Sequence, residues 1–267
     1  NREITIIRDR WATCERWKGY YVLPQGIKLE DRVVKTLEML SPSNGEALYL
    51  DIGCNDGILT RIYADKIRVK HVYGVDIVNT DIACQRGIKA FEVDLDQEIP
   101  LPFSSKMFDV ITCCGVLEHV SNTDFVVREI FRLLKDDGYA VLMVPRLDSF
   151  LSILLLLLSY QPPDIECSTK RKYGVIKSGG VVSGHVSYFT KQALFEMLRF
   201  YDFEIVDYTE SSLASAWELD RKLLGQSISI FDKFLCLFLK SLPFKKDRSI
   251  VKIKKIPIYR YSKSLSK

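Results

Sequence analysis

The sequence is poor in three features that would each indicate a particular class of protein. Its longest apolar run, FLSILLLLLS, is about half the length of a membrane-spanning helix, which needs about twenty residues. Its seven cysteines form no C-x-x-C pair, and this argues against a zinc site and a secreted disulfide framework. The opening residues, NREITIIRDR, lack the apolar core of a secretory signal. These absences predict a cytoplasmic protein.

Charge is distributed unevenly along the chain. The formal net charge is +4, but the segment from Phe244 to Lys267 has nine basic residues and one acid, so the preceding part is slightly acidic. Most short basic termini are simply solvated, although such a terminus can also bind an anionic surface. Two apolar stretches, 151–158 and 228–239, would add to that contact. The sequence therefore leaves two interpretations open, a solvated tail and a peripheral contact with an anionic membrane surface.

Apolar residues alternate between strand-like and helix-like spacing along most of the chain. This alternation predicts an α/β fold with a doubly wound, Rossmann-like sheet of seven strands, mostly parallel with an antiparallel last strand. The predicted helices cover 27–40, 58–66, 81–87 and 123–134. The predicted strands cover 47–52, 71–77, 90–93, 108–113, 139–144, 203–209 and 251–259.

The stretch 48–58, LYLDIGCNDGI, joins an apolar strand to a helix through a loop that contains two glycines. Gly53 and Gly57 allow the backbone to turn tightly, and the N–H groups at the helix start face a ligand. Asp51 ends the strand, where its carboxylate would repel a pyrophosphate but attract an ammonium group. The loop therefore predicts a nucleotide-type ligand with a cationic group.

The next strands also end in polar or small residues, at the edge of the sheet where ligands bind. Asp76 ends the second strand, where an acid can accept hydrogen bonds from both hydroxyls of a ribose. Asp94 ends the third strand and could accept from an adenine amino group. Cys113, Cys114 and Gly115 end the fourth strand and leave room for a ligand.

Five motifs in this order resemble those of class I S-adenosylmethionine-dependent methyltransferases. They are LDIGCNDG, YGVDI, FEVDLDQEIPLPF, FDVITCCGVLEHV and LLKDDGYAVLMVP, and together they cover residues 48–146. The resemblance is to the small-molecule group that includes quinone-ring methylases. The family usually has a third glycine where this chain has Asn55.

The resemblance implies S-adenosylmethionine as the cofactor. Asp51 would hold the methionine ammonium, directly or through water, and Asp76 would bind the ribose. Ile77 would pack on the adenine, while Asp94 and the N–H of Leu95 would meet its polar atoms. A strand-end aspartate taken alone is more often a cap or turn former. The implied contact residues are Asp51, Gly53, Cys54, Asn55, Gly57, Asp76, Ile77, Asp94, Leu95 and Cys114.

Methyl transfer from a sulfonium requires no obligatory catalytic residue, because positioning and exclusion of water do most of the work. A hydroxyl acceptor would still benefit from a base. The candidates are His119 in VLEHV, and His185 and Tyr188 in GHVSYFT. Each has a simpler alternative role, as a packing residue beside a helix or as a loop anchor. No metal site is predicted.

The resemblance also implies a division of the chain. Residues 1–46 would form N-terminal cap helices, with 11–25 closing over the cofactor, and 47–146 would bind the cofactor. Residues 147–184 would form a substrate lid. Residues 185–267 would complete the sheet and add an apolar helix and the basic tail.

The function implied is methyl transfer to a small or lipid-linked acceptor. A dehydrogenase would need G-x-G-x-x-G, which the loop does not contain. The chain has no Asn-Pro-Pro-Tyr-type motif, and its body is acidic, which argues against nucleic acid as a partner. The alternatives left open are a nucleic-acid or protein methyltransferase and a catalytically silent cofactor-binding protein. The sequence does not predict an oligomeric state.

Overall fold

The computed structural model describes residues 15–17, 20–22, 28–43, 45–162, 164–175, 182–212 and 246–257. The first described elements are three short strands, β1 (Glu15–Trp17), β2 (Tyr20–Val22) and β3 (Lys28–Leu29), which form a small antiparallel sheet. Our prediction of a helix over 11–25 is therefore wrong at the residues described. The segment WKGYYV within this range contains three aromatic residues and a valine, which are residue types that favour strands.

The rest of the fold follows the predicted alternation of helices and strands. Short 3₁₀ turns at Leu95–Gln97 and Leu117–His119 follow two of the strands. In chain order the helices and strands are α1 (Asp31–Met39), β4 (Leu48–Ile52), α2 (Ile58–Ile67), β5 (His71–Asp76), α3 (Thr80–Gln85), β6 (Lys89–Glu92), β7 (Phe108–Cys114), α4 (Thr123–Leu133), β8 (Leu134–Pro145), α5 (Phe150–Leu157), α6 (Lys191–Phe200), β9 (Phe203–Ser212) and β10 (Lys246–Lys255).

Seven of these strands form one sheet in the order β6-β5-β4-β7-β8-β10-β9. Strand β10 runs antiparallel to both of its neighbours, and the paired strands from β6 to β8 are parallel. The chain builds outward from β4 in one direction and then from β7 in the other. Such a reversal opens a crevice at the carboxyl ends of the central strands. The predicted fold class is confirmed.

Amphipathic helices cover the sheet, and α4 shows why they form. Asn122 caps its first turn, because the side-chain oxygen accepts a hydrogen bond from the N–H of Phe125 at 3.0 Å. Phe125, Ile130 and Leu133 are buried on its inner face. This helical spacing of apolar residues buries one face of α4 in the main hydrophobic core.

The basic C-terminal segment is partly a strand of the sheet and not a free tail. Five of its nine basic residues lie in β10, between β8 and β9. Ile250, Val251 and Ile253 are fully buried, while Lys252 lies 4.1 Å from the ring centroid of Tyr139. The predicted strand 251–259 is thus confirmed over 251–255, and β10 begins five residues earlier, so 246–255 is not a free tail. The predicted apolar helix at 228–239 lies outside the described residues, as do 258–267.

No helix within the described ranges combines the length and the apolar character needed to cross a bilayer.

Candidate functional site

A cavity of about 470 Å³ opens at the carboxyl ends of the central strands, where the sheet order reverses. Its volume falls within the range usual for small-molecule sites, about 300–1,000 Å³. Seven of the ten predicted cofactor contacts line it, and the structure adds several residues that we did not predict as cofactor contacts. The predicted residues are Gly53, Asn55, Asp76, Ile77, Asp94, Leu95 and Cys114; the added ones are Val75, Val93, Asp96, Gly115, Val116, His119 and Val120.

The glycine loop between β4 and α2 forms one wall of this cavity. Gly53 has φ +86°, and a Cβ atom there would lie 2.2 Å from Cγ2 of Val116. Its N–H donates to the carbonyl of Val75 at 2.8 Å, which ties the loop to β5. Both the backbone conformation and the close approach therefore require glycine at this position.

Asp76 stands at the end of β5 with its carboxylate held by two backbone N–H groups. One oxygen accepts from Asn55 at 2.8 Å, and the other accepts from Val78 at 3.1 Å. A carboxylate has about four acceptor positions, so each oxygen can still accept from a ligand hydroxyl. The residue thus joins the glycine loop to the cavity.

A second pair of acids lies across the cavity, after β6. Asp94 accepts from the N–H of Asp96 at 3.0 Å and begins the turn Leu95–Gln97. Asp96 in turn accepts from the N–H of Ser121 at 2.7 Å, which connects this turn to the chain after β7. We did not predict Asp96. The signal available was its position two residues beyond a strand-end acid.

Asp51, Cys54 and Gly57 are not among the residues that line the cavity. The Asp51 side chain is 4% exposed and accepts hydrogen bonds from the hydroxyls of Thr60 at 2.6 Å and Thr112 at 2.5 Å. Burial raises the pKa of Asp51 to about 7, although both threonine hydrogen bonds oppose the rise. The structure therefore does not bring Asp51 to the cavity, where we predicted contact with the ammonium group.

The buried carboxyl of Asp51 should make stability depend on pH. Its folded-state pKa of about 7 lies above the ordinary value of 3.8, so the folded chain binds a proton that the unfolded chain has lost. The free energy of unfolding should therefore fall between about pH 4 and about pH 7. Asp51→Asn should remove a slope of up to about 1.4 kcal/mol per pH unit. Urea unfolding of both proteins across this range measures it, and parallel curves would contradict the expectation.

Two histidines meet beside the cavity. The His119 and His185 rings pack edge to face with their centroids 4.8 Å apart. Nδ1 of His119 lies 3.2 Å from the carbonyl oxygen of Gly184, and Nδ1 of His185 lies 2.9 Å from that of Asp164. A carbonyl oxygen only accepts, so each Nδ1 carries the hydrogen and each neutral ring keeps a lone pair on Nε2. Burial, and then His185, lower the pKa of His119.

The three predicted acid/base residues do not line the same cavity. His119 lines the larger cavity, whereas His185 and Tyr188 line a second cavity of about 10 Å³. The Tyr188 hydroxyl accepts from the N–H of Glu166 at 3.0 Å and donates to the carbonyl of His185 at 3.0 Å. Tyr188 therefore anchors the loop, and we no longer place it within reach of the reacting atoms.

Glu118 is a buried residue of the site that we did not predict. Its side chain is 4% exposed, and burial raises its pKa to about 7. A carboxylate oxygen of Glu118 and one ring nitrogen each of His119 and His185 lie within 4.8 Å of one another. Carboxylate and imidazole groups are ligands of divalent metal ions, so these three residues could hold one, although we predicted no metal site.

Comparison with known proteins gives partial relatives by sequence. The chain is 32% identical over 95 residues to a ubiquinone biosynthesis O-methyltransferase of Pseudomonas putida. The aligned region covers 33% of this chain and 40% of that protein. The corresponding enzyme of Pseudomonas aeruginosa is 36% identical over 99 residues, 35% of this chain and 42% of the other. The chain thus spans less than half the length of these curated relatives.

Solved structures share the fold at low sequence identity. The YcgJ protein of Bacillus subtilis has a TM-score of 0.55 and 16% identity, with 84% of this chain and 98% of that chain covered. A geranyl diphosphate C-methyltransferase of Streptomyces coelicolor has a TM-score of 0.54 and 9% identity, with 84% and 80% covered. Such low identities support the fold alone.

The family itself is shown by a match that covers most of the described sheet. A family model described as a methyltransferase domain matches residues 28–208, which include the glycine loop, both strand-end aspartates and the histidine pair. The match confirms the resemblance that the five motifs indicated. This chain belongs to the methyltransferase domain family.

Proposed function

We propose that this chain binds S-adenosylmethionine in the larger cavity and transfers its methyl group to a small or lipid-linked acceptor. The observation that carries the proposal is the anchored carboxylate of Asp76, which stands at the end of β5 and lines that cavity. The close packing of Gly53 on Val116 fits the same ligand, because the missing side chain lets the loop backbone form the cavity wall.

Each residue role follows from its position in the cavity. Asp76 accepts from the ribose hydroxyls, and Ile77, which is largely exposed there, packs on the adenine. Asp94 accepts from the adenine amino group, and Leu95 offers its N–H to a ring nitrogen. Gly53, Asn55 and Cys114 shape the walls. Asp51, Cys54 and Gly57 do not line the cavity, and Asp51 holds the loop through its hydrogen bonds with Thr60 on α2 and Thr112 on β7.

The bound cofactor supplies an electrophilic methyl group for in-line displacement. The chain holds the acceptor against it and excludes water. Where the acceptor atom is a hydroxyl oxygen, Nε2 of His119 would take its proton, and the cofactor held by Asp76 and Asp94 would supply the methyl group. His119 suits this step because its Nδ1–H is already engaged with Gly184.

The names of the similar proteins support the kind of acceptor. The Pseudomonas relatives are ubiquinone biosynthesis O-methyltransferases, and one structural neighbour is a geranyl diphosphate C-methyltransferase. Both names refer to small molecules, and the geranyl group of the second is an apolar chain. We therefore propose an acceptor with an apolar portion.

Calorimetry tests the cofactor directly. Titration of the full chain with S-adenosylmethionine or S-adenosylhomocysteine should release heat with a single-site isotherm, whereas a nicotinamide dinucleotide should not. The physical reason is that the glycine loop does not have the G-x-G-x-x-G spacing that brings the backbone close to a pyrophosphate. Heat from the dinucleotide alone would overturn the proposal.

We also propose that 147–184 forms a lid with a membrane-facing surface. Helix α5 buries only Leu155, while Leu156 and Leu157 are 51% and 77% exposed. The N–H of Gln161 donates to Gly174 at 2.7 Å, which brings the loop containing the exposed Lys170 and Arg171 back to the end of α5. Apolar and basic groups side by side are the pattern of an interfacial surface.

Vesicle flotation tests this lid surface. Leu156→Gln combined with Leu157→Gln should reduce binding to anionic vesicles, because exposed leucine side chains contribute the apolar contact. Val206→Gln is a matched control, since Val206 is also about half exposed but lies on edge strand β9. Added salt should release the wild-type protein. Equal flotation of the double variant and the wild type would contradict the proposal.

A further inference from the structure

The carboxylate of Glu166, in the loop after α5, accepts hydrogen bonds from three consecutive backbone N–H groups. One oxygen accepts from Ser183, and the other accepts from Gly184 at 2.8 Å and from His185 at 3.3 Å. The Glu166 side chain is 5% exposed, and Nζ of Lys172 lies 3.4 Å from one of its oxygens. Hydrogen bonds to an ionised acceptor are stronger than neutral ones. Glu166 therefore fixes the backbone of these three consecutive residues.

The backbone of Glu166 is anchored as well. Its N–H donates to the hydroxyl of Tyr188 at 3.0 Å, and that hydroxyl donates to the carbonyl of His185 at 3.0 Å. The carboxylate and the backbone that it binds are thus connected at both ends, so the carboxylate acts from a defined position.

The backbone held by Glu166 contacts the side chain of His119. The carbonyl oxygen of Gly184 lies 3.2 Å from Nδ1 of His119, and the His185 ring packs on the His119 ring. Because a carbonyl oxygen only accepts, this contact keeps the ring hydrogen on Nδ1 and a lone pair on Nε2. With the hydrogen on Nε2, that nitrogen could not take a proton. The direction of the Gly184 carbonyl therefore decides which ring nitrogen can act as a base.

Other hydrogen bonds attach the same segment to the turn after β7. The N–H of Val186 donates to the carbonyl of Glu118 at 2.8 Å, and the hydroxyl of Ser187 donates to the carbonyl of Val120 at 2.9 Å. Neither bond involves the N–H or the carbonyl of Gly184. These bonds position the segment, whereas the bonds to Glu166 orient the peptide groups around Gly184.

Resting on the function proposed above, in which His119 takes the proton of the methyl acceptor, we propose that Glu166 is a positioning residue for that base. Glu166 holds the peptide groups around Gly184, and the Gly184 carbonyl holds the hydrogen of His119 on Nδ1. The lone pair on Nε2 then remains available for the proton. Loss of an oxygen from Glu166 should therefore change the tautomer of His119, although the two side chains are linked only through the backbone.

Nitrogen NMR of the histidine rings in the full chain tests this inference. The chain has three histidines, and His119→Asn and His185→Asn assign their signals. Long-range nitrogen–proton spectra at about pH 8, where imidazole is neutral, report which ring nitrogen carries the hydrogen. EDTA is present, because a metal ion on Nε2 would itself leave the hydrogen on Nδ1. In the wild type, His119 should carry its hydrogen on Nδ1.

Two variants of Glu166 supply the change. Glu166→Gln keeps the size of the side chain but replaces one oxygen with an NH₂ group, which would face backbone N–H donors. It should shift the His119 tautomer ratio toward Nε2–H by about five- to tenfold, the effect of losing about one hydrogen bond. Glu166→Asp keeps the charge at a shorter reach and should shift the ratio less in the same direction. It also provides the test if Glu166→Gln does not fold.

Glu196→Gln and Ser187→Ala are the matched controls. Glu196 is an exposed glutamate on α6 that accepts from Gln192, so its variant removes an equal charge elsewhere. Ser187→Ala removes a bond between the segment and Val120 but keeps those to Glu166. Both should leave the His119 tautomer ratio unchanged. The exposed His71 is the internal reference in every spectrum.

Three results would overturn the inference. These are an unchanged His119 ratio in both Glu166 variants, a wild-type protein with the hydrogen on Nε2 of His119, and an equal shift in Ser187→Ala. The last would show that any loosening of the segment is sufficient. Failure of S-adenosylhomocysteine to bind the wild-type protein would instead overturn the proposed function, and calorimetry measures that separately.

Discussion

Replacing Asp76 with alanine is expected to weaken the binding of S-adenosylmethionine by about 1–3 kcal/mol, or roughly 5- to 150-fold. The carboxylate is the group proposed to hold the ribose, and it also accepts from the N–H of Asn55 at 2.8 Å. The variant therefore loses ligand hydrogen bonds and one connection that holds the glycine loop. Calorimetry with the full chain measures the loss.

Glu92→Ala is the matched control for Asp76→Ala. Glu92 pairs in register with Asp76 on the neighbouring strand β6, carries the same charge, and is exposed without lining the cavity. It should bind the cofactor as tightly as the wild type at moderate ionic strength, where charges at a distance are screened. An equal loss in both variants would show that the effect is general electrostatics and not contact with the ribose.

Replacing Gly53 with alanine is expected to abolish measurable cofactor binding and to destabilise the fold. The positive φ of +86° alone should cost about 1–2 kcal/mol in a residue that has a Cβ atom. The new atom would also fall 2.2 Å from Cγ2 of Val116, so the loop or the start of the turn after β7 must move. Both segments line the cavity, so the displacement should change its shape.

Two further variants separate the effect of backbone strain from the effect of the steric collision with Val116. Gly87 has φ +77° with no atom within 4 Å of an added Cβ, so Gly87→Ala should show the strain alone and keep cofactor binding. Val116→Ala in the Gly53→Ala background removes the colliding methyl group and should restore part of the affinity. Denaturant unfolding and calorimetry on the three proteins measure both effects. No recovery in the double variant would contradict the collision.

The local sequence pattern correctly predicted the strands, the glycine loop and the acids at the ends of strands. The apolar run of β4, the glycines after it and the acids at 76 and 94 were all predicted, and the structure gathers most of them around one cavity. Periodicity determines which segments become strands, and parallel strands place their carboxyl ends at one edge. The order of the motifs along the chain was therefore enough to predict at which edge of the sheet the site lies.

The surroundings of individual side chains could not be predicted from the sequence, as Asp51 and Tyr188 show. Asp51 looks equivalent to Asp76 in sequence, yet its carboxylate is bonded to hydroxyls of Thr60 and Thr112, the second of which lies on β7. Tyr188 looked poised for catalysis, yet its hydroxyl holds the backbone of Glu166 and His185. Thr112 is 61 residues from Asp51 and Glu166 is 22 residues from Tyr188, so packing decides which acid or phenol meets the cavity.

The sequence by itself determined the fold class, the glycine loop and the edge of the sheet where a ligand binds, because each depends on short-range periodicity or backbone freedom. The tertiary structure alone decided how far the predicted last strand, 251–259, extends toward the N-terminus, because β10 begins at Lys246 and includes basic residues that had been assigned to a tail. Insertion between β8 and β9 buries Ile250 and Ile253 and places Arg248 opposite Pro145 at the end of β8. Strands β8 and β10 pair although they are about a hundred residues apart in the chain. Such long-range pairing depends on the burial of the whole strand and not on its composition alone.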